Sequence, residues 1–406
     1  MARVLFHIDL NAFYANAEIL RNSSYEGVPL VVSGLSRRGV VCTASYSARE
    51  LGIQSAMPIQ QALQICPHLI VVPVDFDWYE TLSQRFFDYI REYSMYVEPV
   101  SIDECFVDVT RIIQNYKRPL DLAWQIQQGL KEKIGLSCSI GVAPNRFLAK
   151  MASDMRKPMG ITVLRKHEVP KKLWPLPIES MWGIGKKTAP ILRQHGIETI
   201  GDLADEKNEA IALRILGKNG YHRIENARGN DSNKLSFTTS VQSISQSTTM
   251  NRDVEDYDEI KNVLKTLAHD LSLRAKEEKV QGKTISVSIR YADFSTIVRS
   301  YTMDQTTADM NTLFEYALFL FDKNHISNQP IRHLGISLGS LIDQNHSLEQ
   351  ISIFEPHVVT HEDILNELNK NFEAPLLVYA SDLLNKNKKH LFLILTHHFF
   401  YGNGID

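Results

Sequence analysis

The 406-residue chain has only four cysteines: Cys42, Cys66, Cys105 and Cys138. They lie far apart in apolar surroundings. No pair has the spacing of a zinc site, and nothing suggests a disulfide framework, so they read as reduced core thiols of a cytosolic protein. No apolar run reaches the roughly 20 residues that a membrane-spanning helix needs. The N-terminus leads directly into a strand rather than a secretory signal. A cytoplasmic protein without membrane contact is expected. There is no basic excess either: 44 Lys and Arg against 47 Asp and Glu leave a net charge of −3. Any nucleic-acid surface must therefore be local, offset by acids elsewhere. A chain of this length accommodates about two to four domains and a large total core.

What is present begins with acids in apolar strands. From Val97 to Thr110 the pattern reads as one central strand, with apolar and polar residues alternating from Ile102 onward. Asp103 and Glu104 stand side by side in it, so they face opposite ways unless the strand bends or a metal draws both in. A carboxylate on a core face is costly unless paired, and a hard divalent cation is an economical partner. Val4 to Leu10 is a second apolar run and carries Asp9. Two such strands side by side would gather Asp9, Asp103 and Glu104 around a pair of Mg²⁺ ions, about 3.5–4 Å apart in two-metal sites. The bland alternative is a turn at Asp9 and a solvated edge at Asp103 and Glu104.

The surrounding chain alternates strands and helices. Asn11 to Leu20 reads as a helix, with Phe13 and Tyr14 one turn beyond Asp9. Residues 21–75 read as a small lobe with strands at Val28–Gly34 and Gly39–Ala44 and a helix from Tyr46 to Ile53. Thr43, Tyr46 and Arg49 recur at three-residue spacing, so a hydroxyl, a phenol and a guanidinium can converge on a polyanion. Helices are expected at Trp78–Tyr93, Leu120–Lys133 and Asn145–Asp154, with a strand at Ser137–Ala143. Lys157 sits where Pro158 and Gly160 break the last helix, within reach of the acids.

These motifs together resemble the Y-family translesion DNA polymerases, bacterial DNA polymerase IV branch, over about residues 1–342. The carrying residues are His7 to Tyr14, Arg38 to Arg49, Ser101 to Glu104, Ser139 to Lys150, and Lys157 to Gly160. The resemblance implies a multidomain α/β and α+β right-hand polymerase: a palm (1–20 and 76–164), small fingers (21–75), a helical thumb (165–230), a linker (231–242), an α+β little finger (243–342) and a tail (343–406). It implies that Asp9, Asp103, Glu104 and the Leu10 carbonyl hold two Mg²⁺ ions. Tyr46, Arg49 and Lys157, with Thr43 beside them, would hold the triphosphate. Tyr14 would be the steric gate, its ring leaving no room for a 2′-hydroxyl. The reaction implied is transfer of deoxynucleotides to a primer 3′ end, distributive and error-prone, across damaged templates and without proofreading. Two positions depart from the pattern: Asn11, where many members carry another acid, and Ser45, where many carry Asn.

The remaining segments fit this frame. In the thumb, Trp182-Gly183-Ile184-Gly185-Lys186-Lys187 resembles a helix-hairpin-helix, whose backbone amides with Lys186 and Lys187 would meet a DNA phosphate. Residues 243–342 read strand, helix, strand, strand, helix, strand, and Arg290, Arg299 and Arg332 are candidate phosphate contacts. In the tail, Gln350, Ile351, Ser352, Ile353 and Phe354 resemble the pentapeptide that binds a sliding clamp. Partners expected are primer–template DNA, deoxynucleoside triphosphates and the clamp, with the chain a monomer. Two competing readings are a palm-fold nucleotide cyclase and a catalytically inactive DNA-binding scaffold. The cyclase would not need the helical domain, the little finger or the clamp peptide. The scaffold would be expected to have lost one of the three acids.

Overall fold

A computed structural model of the protein describes residues 3–34, 36, 38–231, 234–237 and 241–343. The clamp-type pentapeptide at 350–354 lies outside the described residues. So do the short helix expected at 362–372 and the apolar run at 390–395.

The first strand, β1 (Leu5–Leu10), is buried along most of its length because it sits at the centre of a sheet. Helix α1 (Phe13–Arg21) follows after Ala12, which takes a left-handed conformation at the cap. A three-stranded lobe comes next: β2 (Leu30–Ser33), β3 (Val41–Ala44), α2 (Tyr46–Glu50), α3 (Ile59–Ile65) and β4 (Ile70–Pro73), in strand order β3-β2-β4. Ser45 caps α2 by accepting from the Ala48 amide, which explains why a small hydroxyl residue works there. Helix α2 is shorter than the pattern to Ile53 suggests, because Gly52 adopts a positive φ.

The chain then returns to the large sheet through α4 (Phe76–Arg91), β5 (Val97–Pro99), β6 (Glu104–Asp108), α5 (Pro119–Ile134), β7 (Cys138–Ala143), α6 (Arg146–Asp154) and β8 (Ile161–Val163). The strand order is β5-β6-β1-β7-β8. One expectation is corrected here. Val97 to Thr110 is not one central strand but two edge-side strands, β5 and β6, broken at Val100–Asp103. Both pair antiparallel, so the chain must turn back between them. Asp103 therefore lies in the turn, outside the pleat, and the conflict of two adjacent acids facing opposite ways disappears.

Helix α6 packs unusually closely on β7. A Cβ at Gly141 would lie 1.9 Å from the Ala149 carbonyl oxygen, so only glycine lets the helix approach. The face of α6 that meets the sheet is small, with Ala149, Ala152 and Ser153 all buried.

A helical region follows: α7 (Val169–Lys172), α8 (Thr188–Gln194), α9 (Ile200–Ala204), α10 (Glu209–Leu216) and α11 (Gly220–Ala227). Its core, with Leu173, Ile178, Leu192 and Ile224, is continuous with Phe147 and Leu148 of α6. The last region has its own core and runs β9 (Ser243–Val254), α12 (Tyr257–Glu277), β10 (Val280–Tyr291), β11 (Thr296–Thr307), α13 (Met310–Asn324) and β12 (Ile331–Asp343), as the sequence pattern predicts. Its antiparallel sheet has the order β11-β10-β12-β9. Ile285, Val287 and Ile289 are buried in its core. The alternate residues Thr284, Ser286, Ser288 and Arg290 therefore point to the opposite, open face.

Candidate active site

The register of the large sheet sets Asp9 opposite Glu104 on β6 and Ser139 on β7. Asp103 is tied to the same end of β1, since its backbone carbonyl accepts from the Leu10 amide at 2.9 Å. Three carboxylates thus meet where β1 ends. His7, two residues before Asp9, shares its face. His7, Asp9 and Glu104 offer donor atoms that all lie within 4.8 Å of one another.

Two lysines counter this charge. Lys150 Nζ lies 2.6 Å from Glu104 Oε2 and 3.1 Å from Asp9 Oδ2. Lys157 Nζ lies 2.7 Å from Asp9 Oδ1 and 2.8 Å from Asp154. Burial alone would raise the Glu104 pKa, but its contacts with His7 and with the Lys150 ammonium together more than offset it and hold the carboxyl well below its ordinary range. Burial pulls Lys150 and Lys157 down, yet Asp9 and Asp154 carry both above the usual lysine value. Asp103 moves the other way. Burial raises its pKa, the charges of Asp9 and Glu104 add to the rise, and a Ser101 hydrogen bond only partly opposes it. Burial keeps His7 neutral by lowering its pKa. The oxygen donors suit a hard divalent cation. The ammonium groups now on those oxygens are the ones that a cation would replace.

Asp9 and Asp103 also line a cleft of about 260 Å³ together with Thr43, Tyr46, Arg49 and Lys157. The residues expected to hold a polyanion are therefore brought together. Arg49 is fixed by its Nε, which donates to the Ala44 carbonyl at 3.0 Å, and by stacking over the Tyr46 ring. The Tyr46 hydroxyl is buried and has no partner of hydrogen-bond geometry among the described residues. Asn11 is not a ligand. It donates to Ser139 and accepts from the Met159 amide, which pins the loop carrying Lys157.

Tyr14 stands at the start of α1 with its ring stacked on Tyr79 at 4.3 Å and 14°. The Tyr79 hydroxyl donates to the buried Glu18 carboxylate at 2.8 Å. The Tyr14 ring thus rests on a second aromatic that is itself held.

Lys186 and Lys187 are exposed at the lead-in to α8. Gly183 there has φ +92°, and the Arg223 guanidinium fills the place of a side chain. The three arginines of the last sheet do not share a face. Arg290 is on the open face, opposite Thr296, whereas Arg299 pairs with the buried Val287 and so lies on the helix side of the edge strand. Arg332 is 3.9 Å from Asp253 and stacks on Phe294. Sequence reading missed Lys150 and His7 as members of the site. His7 could have been found from strand parity with Asp9, and Lys150 from the small-residue face that it shares with Ala149 and Ser153.

A five-stranded sheet with three clustered acids, beside a cleft of cationic and hydroxyl groups, suits metal-assisted chemistry on a nucleotide triphosphate. Comparison with known proteins narrows this. Three family models match: the impB/mucB/samB family at residues 8–154, its helix-hairpin-helix motif at 167–197 and its C-terminal domain at 241–353. The DNA polymerase IV of Bacillus velezensis is 40% identical over 383 residues, covering 92% of both chains. DNA polymerase IV 1 of Bacillus subtilis is 38% identical, covering 96% of this chain and 95% of its own. Among solved structures, a Y-family DNA polymerase chimera of Dbh and Dpo4 aligns with a TM-score of 0.76 at 28% identity, over 84% of this chain and 99% of its own. An insertion ternary complex of Dbh DNA polymerase aligns with a TM-score of 0.60, with the same identity and coverage. The chain belongs to the impB/mucB/samB family, the Y family of DNA polymerases. It is a translesion DNA polymerase, an enzyme that uses divalent metal.

Proposed function

We propose that catalysis follows a two-metal course at the end of β1, with Asp9, Asp103, Glu104 and the Leu10 carbonyl as ligands and Mg²⁺ as the ion. The observation that carries this is the convergence of the three carboxylates, of which Asp9 and Glu104 are now paired with Lys150 and Lys157. When bound, the ions would lower the pKa of the primer 3′-hydroxyl and offset charge on the α-phosphate and the departing pyrophosphate. Arg49, Tyr46 and Lys157, with Thr43, bind the triphosphate of the incoming deoxynucleotide and hold it for in-line attack. Tyr14 closes the space a 2′-hydroxyl would need. No protein group is assigned as the general base.

Primer–template DNA is the second substrate. The sheet of palm strands, the three-stranded fingers, the helical thumb and the separate little finger then act as one hand. Lys186, Lys187 and the amides before α8 take a backbone phosphate. The open face of the little-finger sheet is lined by Thr284, Ser286, Ser300 and Thr302, whose hydroxyls with Arg290 offer donors to phosphates without reading bases. Synthesis is distributive and error-prone because the fingers are small. Residues 350–354 recruit the sliding clamp, which raises the local concentration of primer ends. The polymerase works as a monomer in the cytoplasm.

Primer extension tests the reading. With Mg²⁺, the intact chain should extend a primer on undamaged template, and Asp103→Asn should lose at least about 10³-fold of that rate. Deleting 350–354 should abolish stimulation by the clamp while leaving unassisted extension unchanged. Extension by Asp103→Asn at the rate of the intact chain would overturn the metal assignment.

A further inference from the structure

His7 is a buried group beside the carboxylates that the polymerase reaction does not use. It is fully buried on β1. Its Nδ1 lies 2.8 Å from Ser153 Oγ. The single hydroxyl proton of Ser153 goes to the Lys150 carbonyl, 2.8 Å away. Ser153 therefore accepts from Nδ1–H, and the lone pair of the neutral ring sits on Nε2. Nε2 lies 3.3 Å from Glu104 Oε2, is buried, and has no hydrogen-bond partner among the described residues.

Two acceptors that face each other across a dry gap are unfavourable unless a cation lies between them or beside them. The Lys150 ammonium, on Glu104 Oε2 and Asp9 Oδ2, supplies part of that charge. A separation of 3.3 Å is also what two donors on one tetrahedral ion have, given metal–ligand bonds of ~2.0–2.1 Å. His7, Asp9 and Glu104 together present one imidazole nitrogen and two carboxylate oxygens. Such a mixed set suits Zn²⁺ or Co²⁺ better than Mg²⁺, which favours oxygen alone.

We propose that His7 Nε2, Asp9 and Glu104 form a site for borderline first-row divalent cations, Zn²⁺ and Co²⁺ above all, entered by displacing the Lys150 ammonium. It uses two of the carboxylates assigned to the reaction and in that respect rests on the proposed function. An ion held by His7 withdraws Asp9 and Glu104 from oxygen-only coordination, so Zn²⁺ at this site inhibits nucleotidyl transfer and competes with Mg²⁺.

The test is Co²⁺ titration of the full chain without DNA or nucleotide, followed by visible absorption and by proton NMR in water. The expected result is a hyperfine-shifted, exchangeable ring N–H signal from Nδ1 of the cobalt-bound His7. In His7→Gln that signal disappears, and Co²⁺ binds at least about tenfold more weakly. Should His7→Gln fail to fold, Ser153→Ala serves instead: loss of the Nδ1 acceptor shifts the signal or speeds its exchange. An intact chain that binds Co²⁺ without any shifted exchangeable proton overturns the proposal, as does a signal unchanged in His7→Gln. Mg²⁺-dependent primer extension on the same preparation separates the two readings. Extension without the cobalt signal removes this inference alone.

Discussion

At the end of β1 the demands of folding and of chemistry fall on the same side chains. Asp103 is held where burial and two neighbouring carboxylates raise its pKa. The folded state then binds a proton more readily than the unfolded chain. Stability falls as pH rises from the ordinary aspartate value near 3.9 through the raised one, and the deficit persists at neutral pH. Asp103→Asn should therefore raise the melting temperature of the metal-free protein at pH 7 while abolishing extension. The gain should shrink below about pH 4, where both states are protonated; thermal melts across pH check this. Tyr14→Ala opens the space over Tyr79 and should raise ribonucleotide incorporation relative to deoxynucleotide by at least about tenfold, a shift of ~1.4 kcal/mol in discrimination, read as a ratio of kcat/KM values. The acids were legible because a carboxylate inside an apolar strand is conspicuous. Lys150 was less so, since a lysine on an amphipathic helix ordinarily faces solvent, and here a glycine on another element lets it face inward.

Among the elements, the pairing of β7 with α6 matters most to the site, because α6 carries Lys150 and leads to Lys157. Gly141→Ala would drive a methyl into the Ala149 carbonyl. Overpacking of this kind costs roughly 1–3 kcal/mol or more, so a lower melting temperature is expected, with activity reduced further by displacement of Lys150. Denaturant unfolding with single-turnover kinetics measures both. Helices and strands with strong periodicity were readable, including all six elements of the last region. The break between β5 and β6 was missed although Pro99, which cannot donate to a ladder, marks it. Strand β4, a parallel partner of β2, was also missed.

Across the molecule, the three-stranded lobe and the last region meet through an ion pair. Arg38 Nη1 lies 2.8 Å from Asp253, and Ser36 is hydrogen-bonded to Asn251. A partly buried pair, Arg146 with Glu98, anchors the segment after the helical region through the Ser236 amide. Such long-range links join residues about 140–215 apart in sequence and leave no local signature, whereas the order of strands and helices in the last region was visible from the pattern alone. The open face of the last sheet leads to a test of orientation. Arg290→Ala should weaken primer–template binding and lower the salt slope by about one, while Arg299→Ala, on the other face, should change the slope little.

When substrates bind, metal ions should take up Asp9, Asp103 and Glu104 and displace the lysine ammonium groups from Asp9 and Glu104. Anomalous diffraction from crystals of the chain with primer–template, a non-hydrolysable deoxynucleotide and Mn²⁺ tests it directly. Two anomalous peaks on the three carboxylates are expected, with Lys150 and Lys157 drawn off Asp9 and Lys157 on the triphosphate. Carboxylates without an anomalous peak, and with Lys150 still bridging Asp9 and Glu104, would contradict it.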